Sequence, residues 1–153
     1  MPICLSYQAK LLHKLRYDWV NPVLKLNKGD NMAKKVFVCE DEPAIAKLIK
    51  LRLVADGIKD VTVFDNGEKL SEHIKNETPD LLLLDIMVPG IDGISVLKNI
   101  KSDDKTKNIK IIMLTALSKE ADIVKCLDGG ADDYITKPFS PAELSSRVKK
   151  ILR

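Results

Sequence analysis

Cysteine is scarce in this 153-residue chain, and Cys4, Cys39 and Cys126 are far apart, odd in number and form no C-x-x-C pair. That spacing argues against a disulfide framework or a zinc site and for a reducing, cytoplasmic compartment. Histidine is scarcer: His13 and His73 stand alone, without the partner spacing that metal binding requires. Long apolar runs are missing too. Leu81–Leu84 is cut off at Asp85, far short of the roughly 20 residues of a membrane-spanning helix. An excess of one charge is also missing from most of the chain. Residues 1–31 carry five of the 25 Lys/Arg and two of the 22 Asp/Glu, leaving 20 of each in 32–153. The net +3 therefore arises in the N-terminal segment, and the body has no electrostatic footprint for nucleic acid.

What is present is an ordinary globular composition, 45% apolar and 31% charged, with length for one domain. From residue 32 onward, short apolar runs alternate with amphipathic ones. The spacing predicts strands at Val36–Cys39, Val61–Phe64, Leu81–Leu84, Ile109–Leu114 and Asp133–Thr136. It predicts helices near Pro43–Ala55, Gly67–Lys75, Ile94–Lys101, Lys119–Asp128 and Pro141–Leu152. In the first helix Ile45, Leu48, Ile49, Leu51, Arg52 and Leu53 follow the helical repeat, with Lys47 and Lys50 outward. Gly57 stands where a C-terminal cap belongs, and Ser140-Pro141-Ala142-Glu143 reads as a capping box with proline at the first helical position. Strand–helix alternation implies an α/β fold whose parallel sheet is covered on both faces. The expected architecture is flavodoxin-like and doubly wound, five strands in the order 2-1-3-4-5 with five helices.

Residues 1–31 break this rhythm. Leu11, Leu12, Leu15 and Trp19 could make one weak amphipathic helix, but Lys10, His13 and Lys14 interrupt any signal-peptide core. Lys28-Gly29-Asp30-Asn31-Met32 can be encoded as AAA-GGA-GAT-AAT-ATG, a ribosome-binding purine run just before a start codon. The expectation is that Met32 begins the natural protein, and that 1–31 is untranslated leader read as protein or a disordered extension ahead of a 32–153 domain.

Polar residues gather at the carboxyl ends of the predicted strands, where open α/β sheets place their ligands. Glu40-Asp41 follow the first strand, Asp85 the third, Thr115 the fourth and Lys137 the fifth. With strands one and three adjacent, three carboxylates share one crevice, and their repulsion calls for a cation. Mg²⁺ suits an oxygen-only set better than a transition metal does. A carboxylate beside Mg²⁺ and Lys137 can attack phosphorus, because positioning and charge compensation are most of what phosphoryl transfer needs. Thr115 can hydrogen-bond a phosphoryl oxygen. Taken singly, Asp85 and Thr115 would read as helix caps and Lys137-Pro138 as a turn.

The segments Val36–Glu42, Asp80–Gly93, Ile112–Ala116 and Gly130–Phe139 resemble the receiver domain of two-component response regulators, a resemblance covering essentially all of 34–153. It implies that Asp85 is the phosphoacceptor. It implies that Asp41, Asp85 and the Met87 backbone carbonyl bind Mg²⁺ directly, with Glu40 acting mainly through water. Lys137 would contact the phosphoryl group beside a cis peptide to Pro138. Thr115 and Tyr134 would be the switch pair, a local charge event biasing a bistable element. Gly90 and Gly93 are expected to serve turn geometry alone.

Glu40 stands where the chemotaxis-type pattern more often has Asp, a change expected to retain metal binding. The resemblance implies that Met87 and Leu117 border the path of the hydrolytic water; neither side chain can orient it by hydrogen bonding, so self-dephosphorylation should be slow. Because the chain stops at Arg153, the leading expectation is a stand-alone regulator, not an enzyme in the strict sense. It would be phosphorylated by a histidine kinase or histidine phosphotransfer protein and signal through its fourth helix, fifth strand and fifth helix. A second reading takes the wording Asp132–Phe139 and the charges Lys125, Asp133, Glu143 and Arg147 as those of receivers that dimerise through that face and carry a DNA-binding domain. A third is a phosphate-independent binding scaffold, which the intact acidic site disfavours.

Overall fold

The computed structural model describes residues 34–116 and 120–153. The predicted features of 1–31, the Met32 start and the side chain of Leu117 lie outside them. Strands β1 (Lys35–Cys39), β2 (Asp60–Phe64), β3 (Leu81–Asp85), β4 (Lys110–Thr115) and β5 (Asp133–Thr136) alternate with five helices. These are α1 (Pro43–Ala55), α2 (Gly67–Ile74), α3 (Gly93–Ser102), α4 (Glu120–Asp128) and α5 (Pro141–Leu152). All strand pairs are parallel, in the order β2-β1-β3-β4-β5. The expected flavodoxin-like topology is the observed one, with boundaries shifted by a residue or so. Asp85 and Thr115 turn out to be the last residues of β3 and β4 rather than the first residues beyond them.

Successive strand residues point to opposite faces, so Leu81–Leu84 feeds two cores. Leu82 and Leu84 pack with Phe37, Met113, Leu70, Val96, Leu97 and Cys126. Leu81 and Leu83 pack with Val36, Val38, Ile49, Leu53, Leu144 and Val148. Helices α2, α3 and α4 thus cover one face, and α1 and α5 the other. Cys39 and Cys126 are buried free thiols, and burial pushes the Cys39 thiol up to about 12. No helix among the described residues is long and apolar enough to cross a membrane.

Helix α1 departs from the expected stripe. Its buried residues are Ala46, Ile49 and Leu53, whereas Leu48, Leu51 and Val54 are exposed, Leu51 by 60%. At 3.6 residues per turn Leu51 sits about 200° around the axis from Ile49, so it cannot share the face that meets the sheet. Arg52 is not part of the apolar contact through its head group. Its guanidinium reaches Asp56 at 3.2 and 3.3 Å and the Ser145 hydroxyl of α5. The Asp56 carboxylate also accepts from Ser145 Oγ and, at 3.1 Å, from Lys149 Nζ, which locks α1 to α5.

The Gly57 cap forms as the sequence implies, whereas the capping box expected at Ser140 closes on one side only. Gly57, at φ 94°, donates to the Val54 carbonyl and Ile58 to that of Leu53, the paired bonds of a Schellman ending. Ser140 Oγ accepts from the Glu143 amide at 3.1 Å, while the Glu143 carboxylate turns to Arg147.

Candidate functional site

Parallel pairing of β3 with both β1 and β4 brings Glu40, Asp85 and Thr115 to the same edge of the sheet. Lys137 joins them from just beyond β5. Its backbone N–H donates to the Thr115 carbonyl at 2.7 Å, and its peptide bond to Pro138 is cis. The Lys137 ammonium donates to Glu40 Oε2 and Asp85 Oδ2, both at 2.6 Å. Glu40 is 2% exposed and Asp85 5%, while Asp41 is open to solvent. Each buried carboxylate has its second oxygen occupied as well. Glu40 Oε1 accepts from the Glu42 amide at 3.1 Å, and Asp85 Oδ1 from the Met87 amide at 3.0 Å.

Burial holds the Glu40 carboxyl above its usual range, the bond from Lys137 working against that shift. For Lys137 burial pulls the other way, but its hydrogen bonds to Asp85 and Glu40 outweigh it and hold the ammonium above its ordinary value. An ammonium shared between two carboxylates is thereby kept charged.

One carboxylate oxygen from each of Glu40, Asp41 and Asp85 lies within 4.8 Å of the others. Such an all-oxygen cluster, partly open to water, fits a hard divalent cation that retains several waters. The cavity above it, ≈ 450 Å³, is lined by Met87, Thr115, Ala116 and Lys137 besides the acids. A second cavity, ≈ 530 Å³, lies between α2 and α3; Asp103 is its one acidic lining residue, so no carboxylate cluster converges there.

Every predicted site residue except Tyr134 lines this pocket. Tyr134 lies one strand over, where the register pairs it with Met113. Thr115, two residues beyond Met113, therefore faces the same side of the sheet as Tyr134, and the tyrosine ring packs against that side's core. Arg147 places its guanidinium carbon 5.8 Å from the Tyr134 ring centroid. Its nitrogens meet Asp133 at 2.9 and 3.0 Å and Glu143 at 3.4 Å. Lys125 is 3.5 Å from Asp122. The charges expected to face a second copy have partners within the chain.

Two glycines contribute what sequence reasoning missed. Gly93 was expected to serve turn geometry, but its φ is not positive. A Cβ there would lie 2.2 Å from the Asp85 carbonyl oxygen, so the start of α3 is pressed against the backbone of β3. Gly90, at φ 79°, does occupy the turn conformation expected of it. At Gly67 a Cβ would lie 2.1 Å from the Ile91 carbonyl oxygen. Nothing in the local sequence marks Gly67, because the neighbour that demands it is 24 residues on.

The response regulator receiver domain family matches residues 36–149, and the chain belongs to that family. Its receiver part is 42% identical over 122 residues to the phosphate regulon transcriptional regulatory protein PhoB of Escherichia coli, covering 80% of this chain and 53% of that protein. The chain thus spans about half the length of the curated relatives it matches. Among solved structures, a Francisella response regulator receiver domain is 37% identical with a TM-score of 0.73, covering 78% of this chain and 96% of that one. The receiver domain of a Pseudomonas aeruginosa sensor histidine kinase, described with a magnesium ion in its active-site cleft, is 28% identical with a TM-score of 0.71, covering 78% and 98%.

Proposed function

We propose that Asp85 accepts a phosphoryl group from a histidine kinase or histidine phosphotransfer protein, and that the phosphorylated domain signals through α4, β5 and α5. The observation that carries this reading is Lys137 held 2.6 Å from both Asp85 and Glu40. A lysine in that position can follow the charge from carboxylate to phosphoryl oxygen without leaving the pocket. In the transfer an Asp85 oxygen forms a bond to phosphorus as the bond from phosphorus to the donor's imidazole nitrogen breaks. The leaving nitrogen keeps the electron pair. Lys137 stabilises the charge developing on the phosphoryl oxygens, an effect that grows where water is excluded.

Asp41, Asp85 and the Met87 carbonyl would hold Mg²⁺, with Glu40 acting mainly through water. Bound there, Mg²⁺ supplies charge compensation for the carboxylates and the incoming phosphoryl group. The rest falls to the chain itself. The Met87 amide fixes one Asp85 oxygen and leaves the other, on Lys137, aimed into the cavity. Thr115 lines the same cavity and shares a sheet face with Tyr134. Drawing the Thr115 hydroxyl toward the phosphoryl group would free space for the tyrosine ring to turn inward. Asp85 is consumed and regenerated as a substrate, so the chain acts as a signalling protein rather than an enzyme.

A second reading concerns output. Identity of 42% to the receiver half of PhoB supports a receiver that belongs to a DNA-binding regulator and dimerises through α4–β5–α5. The coding sequence beyond Arg153 separates it from a stand-alone regulator.

The deciding experiment incubates the 32–153 body with Mg²⁺ and acetyl phosphate and records intact mass beside Asp85→Asn. One added phosphoryl group, absent in the variant and blocked by chelation, is the expected result. No addition, from acetyl phosphate or from a phosphohistidine donor, would leave a phosphate-independent binding module.

A further inference from the structure

We infer that Gly67, a residue outside the acidic pocket, positions the backbone turn that carries the Met87 carbonyl and so tunes the pocket to a small, strictly octahedral cation. The inference rests on the reading of Glu40, Asp41, Asp85 and Met87 as a divalent-cation site.

The segment between β3 and α3 leaves the sheet at Asp85 and returns at Gly93. Its first residue is anchored to β4 and its last closes back on the first. The Ile86 amide donates to the Leu114 carbonyl at 3.1 Å and the Gly93 amide to the Ile86 carbonyl at 2.9 Å. The outer arc is held by α2. The Gly67 amide donates to the Pro89 carbonyl at 3.0 Å, two residues beyond Met87. The Gly67 α-carbon also lies so close to Ile91 that any Cβ would fall 2.1 Å from the Ile91 carbonyl oxygen and 3.2 Å from a Val96 methyl. Asn66 fixes this first turn of α2 by accepting from the Lys69 amide at 2.8 Å. Glu68 completes the seat, its side chain lying 3.1 Å from where a Cβ on Gly90 would be.

Gly67 thus sets the height of residues 89–91 above the sheet, and with it the Met87 carbonyl. A methyl at position 67 must push the Ile91 carbonyl away by roughly an ångström to reach ordinary contact. Mg²⁺ is intolerant of such a shift, because it demands near-ideal octahedral geometry at about 2.0–2.1 Å. Ca²⁺ accepts oxygens at about 2.3–2.6 Å in flexible arrangements. Displacement of one ligand therefore penalises the two ions unequally. A mere loss of stability would not.

The test titrates Mg²⁺ and Ca²⁺ into the full chain and follows the Met87–Ile91 amides by two-dimensional NMR. Gly67→Ala is expected to weaken Mg²⁺ about tenfold, the usual scale for loss of a group supporting a metal ligand, and Ca²⁺ by much less. Gly57→Ala is the control: it strains a positive φ in open space on the opposite face of the sheet and should leave both affinities unchanged. Equal losses for both ions, or wild-type Mg²⁺ affinity in folded Gly67→Ala, would overturn the inference. Should Gly67→Ala fail to fold, Asn66→Ala decides: it adds no atoms and loosens the same turn. It should lower Mg²⁺ affinity in the same direction, and an unchanged affinity overturns the proposal. Wild-type protein that binds neither ion would instead defeat the underlying reading of the pocket.

Discussion

Lys137 Nζ and Asp85 Oδ2 meet at 2.6 Å across 52 residues of sequence, and the same ammonium spans to Glu40 at the end of β1. One cation thereby ties together the polar ends of β1, β3 and β5. Removing it leaves the two buried carboxylates with backbone amides as partners but without the one basic side chain that lines the pocket among the described residues. Lys137→Ala should slow phosphorylation of Asp85 by about 10²–10³-fold, the scale for losing one preorganised charge stabiliser. The time course of intact mass with acetyl phosphate checks this.

Thr115 and Tyr134 offer a separation of chemistry from signalling. Thr115→Val keeps the buried volume but removes the hydroxyl. Phosphoryl uptake should persist, while phosphorylation-dependent NMR shifts in α4, β5 and α5 should shrink. Shifts of wild-type size in Thr115→Val would remove the hydroxyl from the switch.

Met87 is 71% exposed at the mouth of the pocket and has no strong hydrogen-bonding group. The phosphorylated protein should hydrolyse slowly, and Met87→Asn, which can orient a water, should hydrolyse faster. Loss of the added phosphoryl mass over time measures both.

Asp56 contributes to the dependence of stability on low pH. Burial acts to raise its pKa, but hydrogen bonds from Ser145 and Lys149 hold the carboxyl below its ordinary value. A depressed carboxyl contributes stability that is present above its unfolded pKa, about 4, and is lost as pH falls through the lower folded value. Urea denaturation between pH 6 and pH 3 should show this loss, and Asp56→Asn should flatten it. At neutral pH, Asp56→Ala should cost about 1–3 kcal/mol, since Ser145 and Arg52 lose an acceptor.

Leu83 and Leu51 test the packing directly. Leu83 is fully buried in the central strand, so Leu83→Ala should cost about 2–5 kcal/mol. Leu51→Ala on the open side of α1 should stay within about 0.5 kcal/mol. Denaturant midpoints at constant slope distinguish the two.

Much of this was legible in the residues. Alternating apolar runs, Gly57 and Ser140 as caps, and polar residues closing four strands suffice to predict a parallel α/β fold and its ligand edge, because those signals are local. The gathering of Glu40, Asp85, Thr115 and Lys137 followed once the strand order was assumed. Tertiary structure decided the rest. Whether Leu48 or Ile49 is buried depends on the rotation of α1 against the sheet, which a helix with apolar residues on both sides of Lys47 and Lys50 does not encode. That Arg147 finds Asp133 in its own chain depends on how α5 lies across β5, whereas Glu143, four residues back on the same helix, is within its reach by helix geometry alone. The need for glycine at position 67 exists only because the chain returns 24 residues later and presses a carbonyl oxygen against it. Periodicity and capping are properties of neighbours in sequence; a contact between distant segments is set by the packing that brings them together.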